Sequence, residues 1–128
     1  MILIIGGAFQ GKRRFAETIA GKTADWCDGR TAGWEDFCHA SYCVHLPAMV
    51  DRMMKTEAAG FSKESFVSRL LSDGNDKILI GEEVGSGIVP VDAYQRRWRE
   101  ETGRIYCMLA EQADQVWRVT GGLGQRIK

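Results

Sequence analysis

The sequence predicts an α/β fold: one domain over residues 1–128, built on a mainly parallel sheet flanked by helices. Two short runs carry most of that reading. Ile2–Ile5 is four apolar residues, three of them β-branched, and Lys77–Gly81 carries the apolar run Ile78-Leu79-Ile80, both without alternation, as strands covered on both faces are. A third observation is the length, 128 residues, which suits a single domain with a real core.

The first run leads into Gly6-Gly7-Ala8-Phe9-Gln10-Gly11-Lys12-Arg13 and then a stretch with helical spacing (Phe15 and Ile19, with Ala16 and Ala20 beside them) that ends near Gly21. Strand, glycine turn, lysine and helix form the G-x-x-x-x-G-K arrangement of a phosphate-binding P-loop. Glycines let backbone N–H groups wrap a phosphate, the helix start adds partial positive charge, and Lys12 adds a full one. Gly6 to Arg13 is therefore the candidate nucleotide-binding stretch. The position after the lysine ordinarily carries a Ser or Thr hydroxyl for Mg²⁺. Here it is Arg13, which has no acceptor atom. Three explanations stay open: a metal held elsewhere, a guanidinium partly replacing its charge, or a site that binds nucleotide without turning it over.

Beyond the first helix, Thr23–Cys27 reads as a short strand closed by Asp28-Gly29. Trp34–Ala40 reads as helical, and Ser41–Leu46 as a strand or a continuation of that helix. Pro47 fits the first turn of a helix running to about Ala58 and stopped by Gly60. Ser62 caps a further helix, with Phe66, Val67, Leu70 and Leu71 on one side, that ends at Asp73-Gly74-Asn75. The second buried run then opens into Glu82-Glu83-Val84-Gly85-Ser86-Gly87. In a parallel arrangement these acids emerge beside the glycine loop, since ligands lie beyond the carboxyl ends of strands. Asp92 caps a long helix to about Ala113 that carries Arg96, Arg97, Arg99 and Arg104, either a solvated face or a counter-charge for an anionic substrate. Val116–Val119 is a third strand, followed by Gly121-Gly122-Leu123-Gly124 and a basic tail.

Composition narrows the function. The chain is 45% apolar and 27% charged with no net charge, so a broad basic surface for nucleic acid is not expected. No apolar run approaches the roughly 20 residues of a membrane span. A strand starting at residue 2 leaves no room for a signal peptide, and a cytoplasmic protein is expected. The four cysteines form no C-x-x-C pair and are read as reduced thiols. Cys38, His39, Cys43 and His45 crowd together, but their spacing matches no common zinc pattern.

Several motifs resemble one family in order along the chain. Gly6-Gly7-Ala8-x-x-Gly11-Lys12 with Phe15-Ala16-Glu17 resembles the opening of the bifunctional adenosylcobinamide kinase / adenosylcobinamide-phosphate guanylyltransferases of cobalamin biosynthesis. Glu83-Val84-Gly85-x-Gly87-Ile88-Val89-Pro90 resembles their N-E-V-G-x-G-(I/V)-V-P stretch, with Glu82 in place of the asparagine. Arg96-x-Trp98-Arg99-Glu100-x-x-Gly103, Ala110-x-x-Ala113-Asp114-x-Val116 and Gly124-x-x-Ile127-Lys128 resemble the blocks that follow. The likeness covers roughly the first 20 and last 50 residues.

This resemblance implies a RecA-like P-loop fold, ATP or GTP as phosphoryl donor with Mg²⁺, a corrinoid (adenosylcobinamide) as acceptor, and self-association. It implies phosphate binding by Gly6, Gly7, Gly11 and Lys12 and places Glu83 at the metal or reacting end, with Arg96 and Arg99 behind it. It also implies GMP transfer through a histidine, for which only His39 and His45 are present. His45 is the candidate, giving Lys12, Glu83 and His45 as the catalytic set and Glu83 as the metal residue. The sequence departs from the family at Arg13, at Tyr106-Cys107 where Asn-Gln is usual, and in a shortened middle. The middle lacks an R-I-x-x-H-x-x-x-R-P helix and a D-x-L-T-x-W stretch. A kinase/guanylyltransferase-like protein is thus the leading expectation. A catalytically degenerate nucleotide- or corrinoid-binding protein is the alternative, and a small-molecule kinase for another substrate comes third.

Overall fold

A computed structural model describes residues 1–74, 76–85 and 87–128. Asn75, in the expected helix end, and Ser86, in the loop after the second buried run, lie outside the described residues. In chain order the elements are β1 (Ile2–Gly6), α1 (Lys12–Ala20), β2 (Cys27–Asp28), α2 (Trp34–His39), β3 (Tyr42–Val44), α3 (Leu46–Glu57), α4 (Lys63–Leu70), β4 (Ile78–Glu82), α5 (Ala93–Gln112), β5 (Gln115–Thr120) and β6 (Leu123–Arg126), with a 3₁₀ turn at Ala58–Gly60 after α3. The sheet order is β2-β3-β4-β1-β5-β6, parallel from β2 to β5, with β6 antiparallel to β5.

The caps expected from sequence form. The Ser62 hydroxyl accepts from Ser65 N, Asp92 accepts from Tyr94 N and Gln95 N, and Pro47 sits in the first turn of α3. Two expectations are corrected. The second strand is only Cys27–Asp28, because Thr23, Lys22 and Asp25 are exposed and have no neighbouring strand to pair with. The glycine run before the tail is the turn of a β-hairpin: Gly121 and Gly122 both take positive φ, and the chain returns as β6 along β5. A short edge strand with exposed side chains has no apolar run to announce it.

Strand alternation divides the core. Leu3, Leu79 and Val116 face one way, onto Phe37 of α2, Met49 and Val50 of α3, Phe66 and Leu70 of α4, and Ile105 and Leu109 of α5. Ile4, Ile78, Ile80 and Val119 face the other way, where Ala16 of α1 packs on them with Phe15 and Trp117 at the margin. Lys77, just before β4, is 1% exposed, and its ammonium donates to the carbonyls of Cys38 and Ala40 at the end of α2. The register pairs Ile2 with Ile78 and Gly6 with Glu82, so β1 and β4 finish level with one another. Among the described residues no helix is long and apolar enough to cross a membrane.

Candidate functional site

The glycine loop leaves β1 at its carboxyl end and enters α1 without a side-chain cap. Gly11 occupies the cap position at φ 83°, a left-handed conformation that disfavours a Cβ, and the first turn of α1 contains no acid. Gly6 is needed for space: a Cβ there would lie 2.4 Å from the Val119 carbonyl oxygen of β5. The uncapped N–H groups of α1 thus remain for an anion. Phe9 is fully exposed with φ 58° at the loop tip. The hairpin turn braces the loop from the far side: Gly122 N donates to the Gln10 carbonyl (2.8 Å) and Gly121 N to Gln10 Oε1 (2.7 Å).

Lys12 is 7% exposed, and its Nζ donates to the Gly7 carbonyl at 2.7 Å. Burial lowers its pKa from the ordinary lysine value, and the negative charges of Glu82 and Glu83 work in the opposite direction. In front of it lies a cleft of about 290 Å³ lined by the loop from Ala8 to Arg14, by Arg30, and by Val44, His45, Ile80 and Glu82 from the strands. Arg30 is clamped to Asp28 at the end of β2 through Nε and Nη2 (2.8 Å at the shortest). Its loop is tied to α3 by Arg52, whose Nη1 donates to the carbonyls of Gly29 and Ala32.

His45 joins β3 to α3 in the left-handed region, φ 60° and ψ 47°, and is the N-cap residue of α3. Holding a non-glycine residue there costs about 1 kcal/mol and is a feature that clusters at functional sites. Its Nδ1 lies 2.7 Å from Glu82 Oε1. An ionised carboxylate only accepts, so Nδ1 carries the proton in this pair and the Nε2 lone pair is left available. Glu82 is itself held through its backbone: the Tyr106 hydroxyl donates to its carbonyl at 2.7 Å. That ring fits only because residue 81 is glycine, where a Cβ would lie 2.1 Å from the Tyr106 oxygen. Burial pushes the Tyr106 phenol well above the usual tyrosine range, which keeps it a donor.

The acid that lines the cleft is Glu82. Glu83, expected at the reacting end, gives its backbone N–H to Gly6 and its carboxylate to Arg118 of β5 (2.8 and 3.3 Å), and does not line the cleft. Alternation explains it: Ile78, Ile80 and Glu82 share the face that α1 covers, and the strand ends before Glu83. Register could have separated the two acids from sequence, once Ile80 was placed against α1. Arg96, on the exposed side of α5, and the half-buried Arg99 both grip the loop after β4. Arg96 donates to the Pro90 and Val91 carbonyls, and Arg99 to those of Val84 and Ile88. Arg30 and Arg14, which sequence reasoning did not assign to the site, carry no local motif.

The Cys38, His39, Cys43 and His45 grouping does not converge. His39 pairs with Asp73, Cys43 Sγ donates to the Phe37 carbonyl, and His45 faces Glu82. Among the described residues no group of three or more His, Cys, Asp or Glu could hold a metal ion. A second cavity of about 350 Å³ shares Glu82 and is walled by Pro47, Asp51, Val84, Gln95 and Trp98. The Trp98 indole N–H donates to the Pro47 carbonyl, and the Tyr94 hydroxyl donates to Asp51.

Comparison with known proteins adds an independent line. The family described as "Cobinamide kinase / cobinamide phosphate guanyltransferase" matches residues 43–127, about two thirds of the chain. The bifunctional adenosylcobalamin biosynthesis protein CobU of Escherichia coli (strain K12) is 26% identical over 184 aligned positions that take in the whole chain and 99% of that relative. With 128 residues here, the remaining positions are gaps in this chain. The protein of the same name from Salmonella typhimurium is 45% identical over 51 positions, covering 40% of this chain and 28% of its own length.

Proposed function

The chain belongs to the cobinamide kinase / cobinamide phosphate guanyltransferase family, and from that premise we propose that it is a nucleotide-dependent transferase of cobalamin biosynthesis. It binds ATP or GTP on the Gly6–Arg13 loop and transfers phosphoryl to the corrinoid adenosylcobinamide, with guanylyl transfer through His45 as the second half of the chemistry. One observation carries this reading: Lys12, the uncapped start of α1 and the His45–Glu82 pair line a single cleft at the carboxyl ends of β1, β3 and β4. Both E. coli and S. typhimurium relatives are named as bifunctional adenosylcobalamin biosynthesis proteins.

In the kinase step the acceptor hydroxyl attacks the terminal phosphorus in line, the bond to the bridging oxygen breaks to release the nucleoside diphosphate, and the hydroxyl proton passes to water. Lys12, released from the Gly7 carbonyl, and the loop amides stabilise the charge that gathers on the transferring group. In the guanylyl step the Nε2 lone pair of His45 attacks the α-phosphorus of GTP and pyrophosphate departs, while Glu82 keeps the proton on Nδ1. The cavity beyond Glu82 is the natural seat of the acceptor arm. Glu83 is too fully engaged by Arg118 to serve as the metal residue. Mg²⁺, the ion that such loops ordinarily use, is poorly served by the donors present: the hydroxyl position is a guanidinium, and of the Glu82 carboxylate one oxygen, Oε1, is taken by His45. Self-association belongs to the same reading, and light scattering in solution measures it directly.

The test is one mass-spectrometric assay of protein incubated with adenosylcobinamide and ATP or GTP in magnesium buffer. Phosphate or GMP added to the corrinoid, with GMP on a peptide containing His45, supports both halves. Arg13 favours one rival, a protein that kept the cleft and lost turnover. Nucleotide bound in a Lys12-dependent way with no mass gained by corrinoid or protein selects that rival.

A further inference from the structure

Resting on the reading that the loop holds nucleotide phosphates, we infer that this cleft takes the nucleotide as the metal-free polyanion, with arginine side chains doing the neutralising that a divalent ion does elsewhere. Arg13 and Arg14 stand in the first turn of α1 and line the cleft, and neither side chain has a hydrogen-bond or ion-pair partner among the described residues. Lys12 lines it as well, opposite the carboxylate of Glu82, and Arg30 lines it with its charge already shared with Asp28. A nucleoside triphosphate carries roughly four negative charges once its terminal phosphate is ionised. Chelated by a divalent cation it carries about two fewer, so the cationic cleft favours the unchelated form.

The donor chemistry points the same way. A P-loop metal bridges two phosphates from a Ser or Thr hydroxyl. A guanidinium at that position cannot ligate it and repels it, yet presents several N–H donors that match phosphate oxygens in pairs. The fork geometry is what Lys12, a point charge already aimed at Gly7, does not supply. The carboxylate that lines the cleft, Glu82, gives one of its two oxygens to His45, and Glu83, outside the cleft, is turned to Arg118.

The experiment is a titration of the full-length protein with ribose-labelled fluorescent ATP and GTP, read by anisotropy, in excess EDTA and again in excess magnesium. Metal-free nucleotide is expected to bind at least as tightly as the chelate, with Lys12→Ala abolishing the signal in both. Arg13→Ser, checked for fold by circular dichroism, is expected to weaken binding in EDTA by tenfold or more and to recover part of it with magnesium. Arg13→Gln, which restores no hydroxyl, should weaken binding in EDTA without that recovery, and it keeps the test open should the serine variant misfold. Magnesium tightening the unsubstituted protein tenfold or more overturns the inference while leaving the nucleotide reading intact. Arg13 variants that bind in EDTA as the unsubstituted protein does also overturn it. Absence of binding in both buffers overturns the nucleotide reading itself, and the inference with it.

Discussion

Two lysines are buried at opposite ends of the parallel sheet, and they differ in what their ammonium groups hold. Lys77, at the amino end of β4, is closed off completely and donates to two carbonyls where α2 stops. Lys12, at the carboxyl end beyond β1, has one loop carbonyl as partner and the cleft before it. Burial alone therefore does not distinguish a working lysine from a structural one. What distinguishes them is their partners: Lys77 holds two helix-end carbonyls at once, whereas Lys12 has one loop carbonyl, which on the proposed reading it trades for a phosphate oxygen.

The comparison breaks most visibly in activity. Lys12→Ala is expected to lower turnover at least a hundredfold, roughly 3 kcal/mol of transition-state stabilisation. The same variant should melt at the temperature of the unsubstituted protein or slightly above it, because a desolvated cation has been removed. Steady-state kinetics beside a thermal melt gives both numbers, and a variant that keeps full turnover rules out the loop mechanism. The next effect in size is at Lys77. Lys77→Met should leave nucleotide affinity unchanged and destabilise the fold by about 2–3 kcal/mol, because two buried carbonyls lose their donor. Urea unfolding measures it, and a loss of affinity without a loss of stability would erase the distinction between the two residues.

The smallest effect is in pH. The Lys12 pKa lies below 10.5, chiefly through burial, so the unfolded chain holds that proton more tightly than the folded one. As pH rises through the lowered value towards 10.5, the folded state loses the cation first and phosphate affinity falls there. In the same window stability gains a little, because the desolvated charge is gone. An affinity profile for labelled nucleotide between neutral pH and 10 should bend downwards before an exposed lysine would titrate, and Lys12→Arg should straighten it.

What could be read in the sequence was local. Ile2–Ile5, Lys77–Gly81 and Val116–Val119 announce strands because covered strands need unbroken apolar runs, and the glycine loop announces itself by spacing. Ser62, Asp92 and Pro47 mark helix starts for equally local reasons. β6 escaped because a short edge strand needs no such run, and β2 lies at Cys27–Asp28, later than the Thr23–Cys27 read from the sequence. The site was legible only in its loop and in His45. Its pairing with Glu82 spans 37 positions, and choosing Glu82 over Glu83 depends on register, which no single stretch encodes. Arg96 and Arg99 looked like a charged helix face because arginines that grip loop carbonyls leave the same sequence pattern as solvated ones.

The hairpin turn that braces the glycine loop has a consequence for the order of events during synthesis. The Gly121 N–H that fixes the Gln10 side chain is made 111 positions after Gln10 itself. A nascent chain that has released β1, α1 and even β4 still has a glycine loop without its brace. Contacts that distant close late, since the loop-closure entropy between them must be met first. Until β5 and β6 have docked, the loop lacks the two hydrogen bonds that hold Gln10, and a chain cut short before its hairpin keeps the lysine and the helix start without that brace.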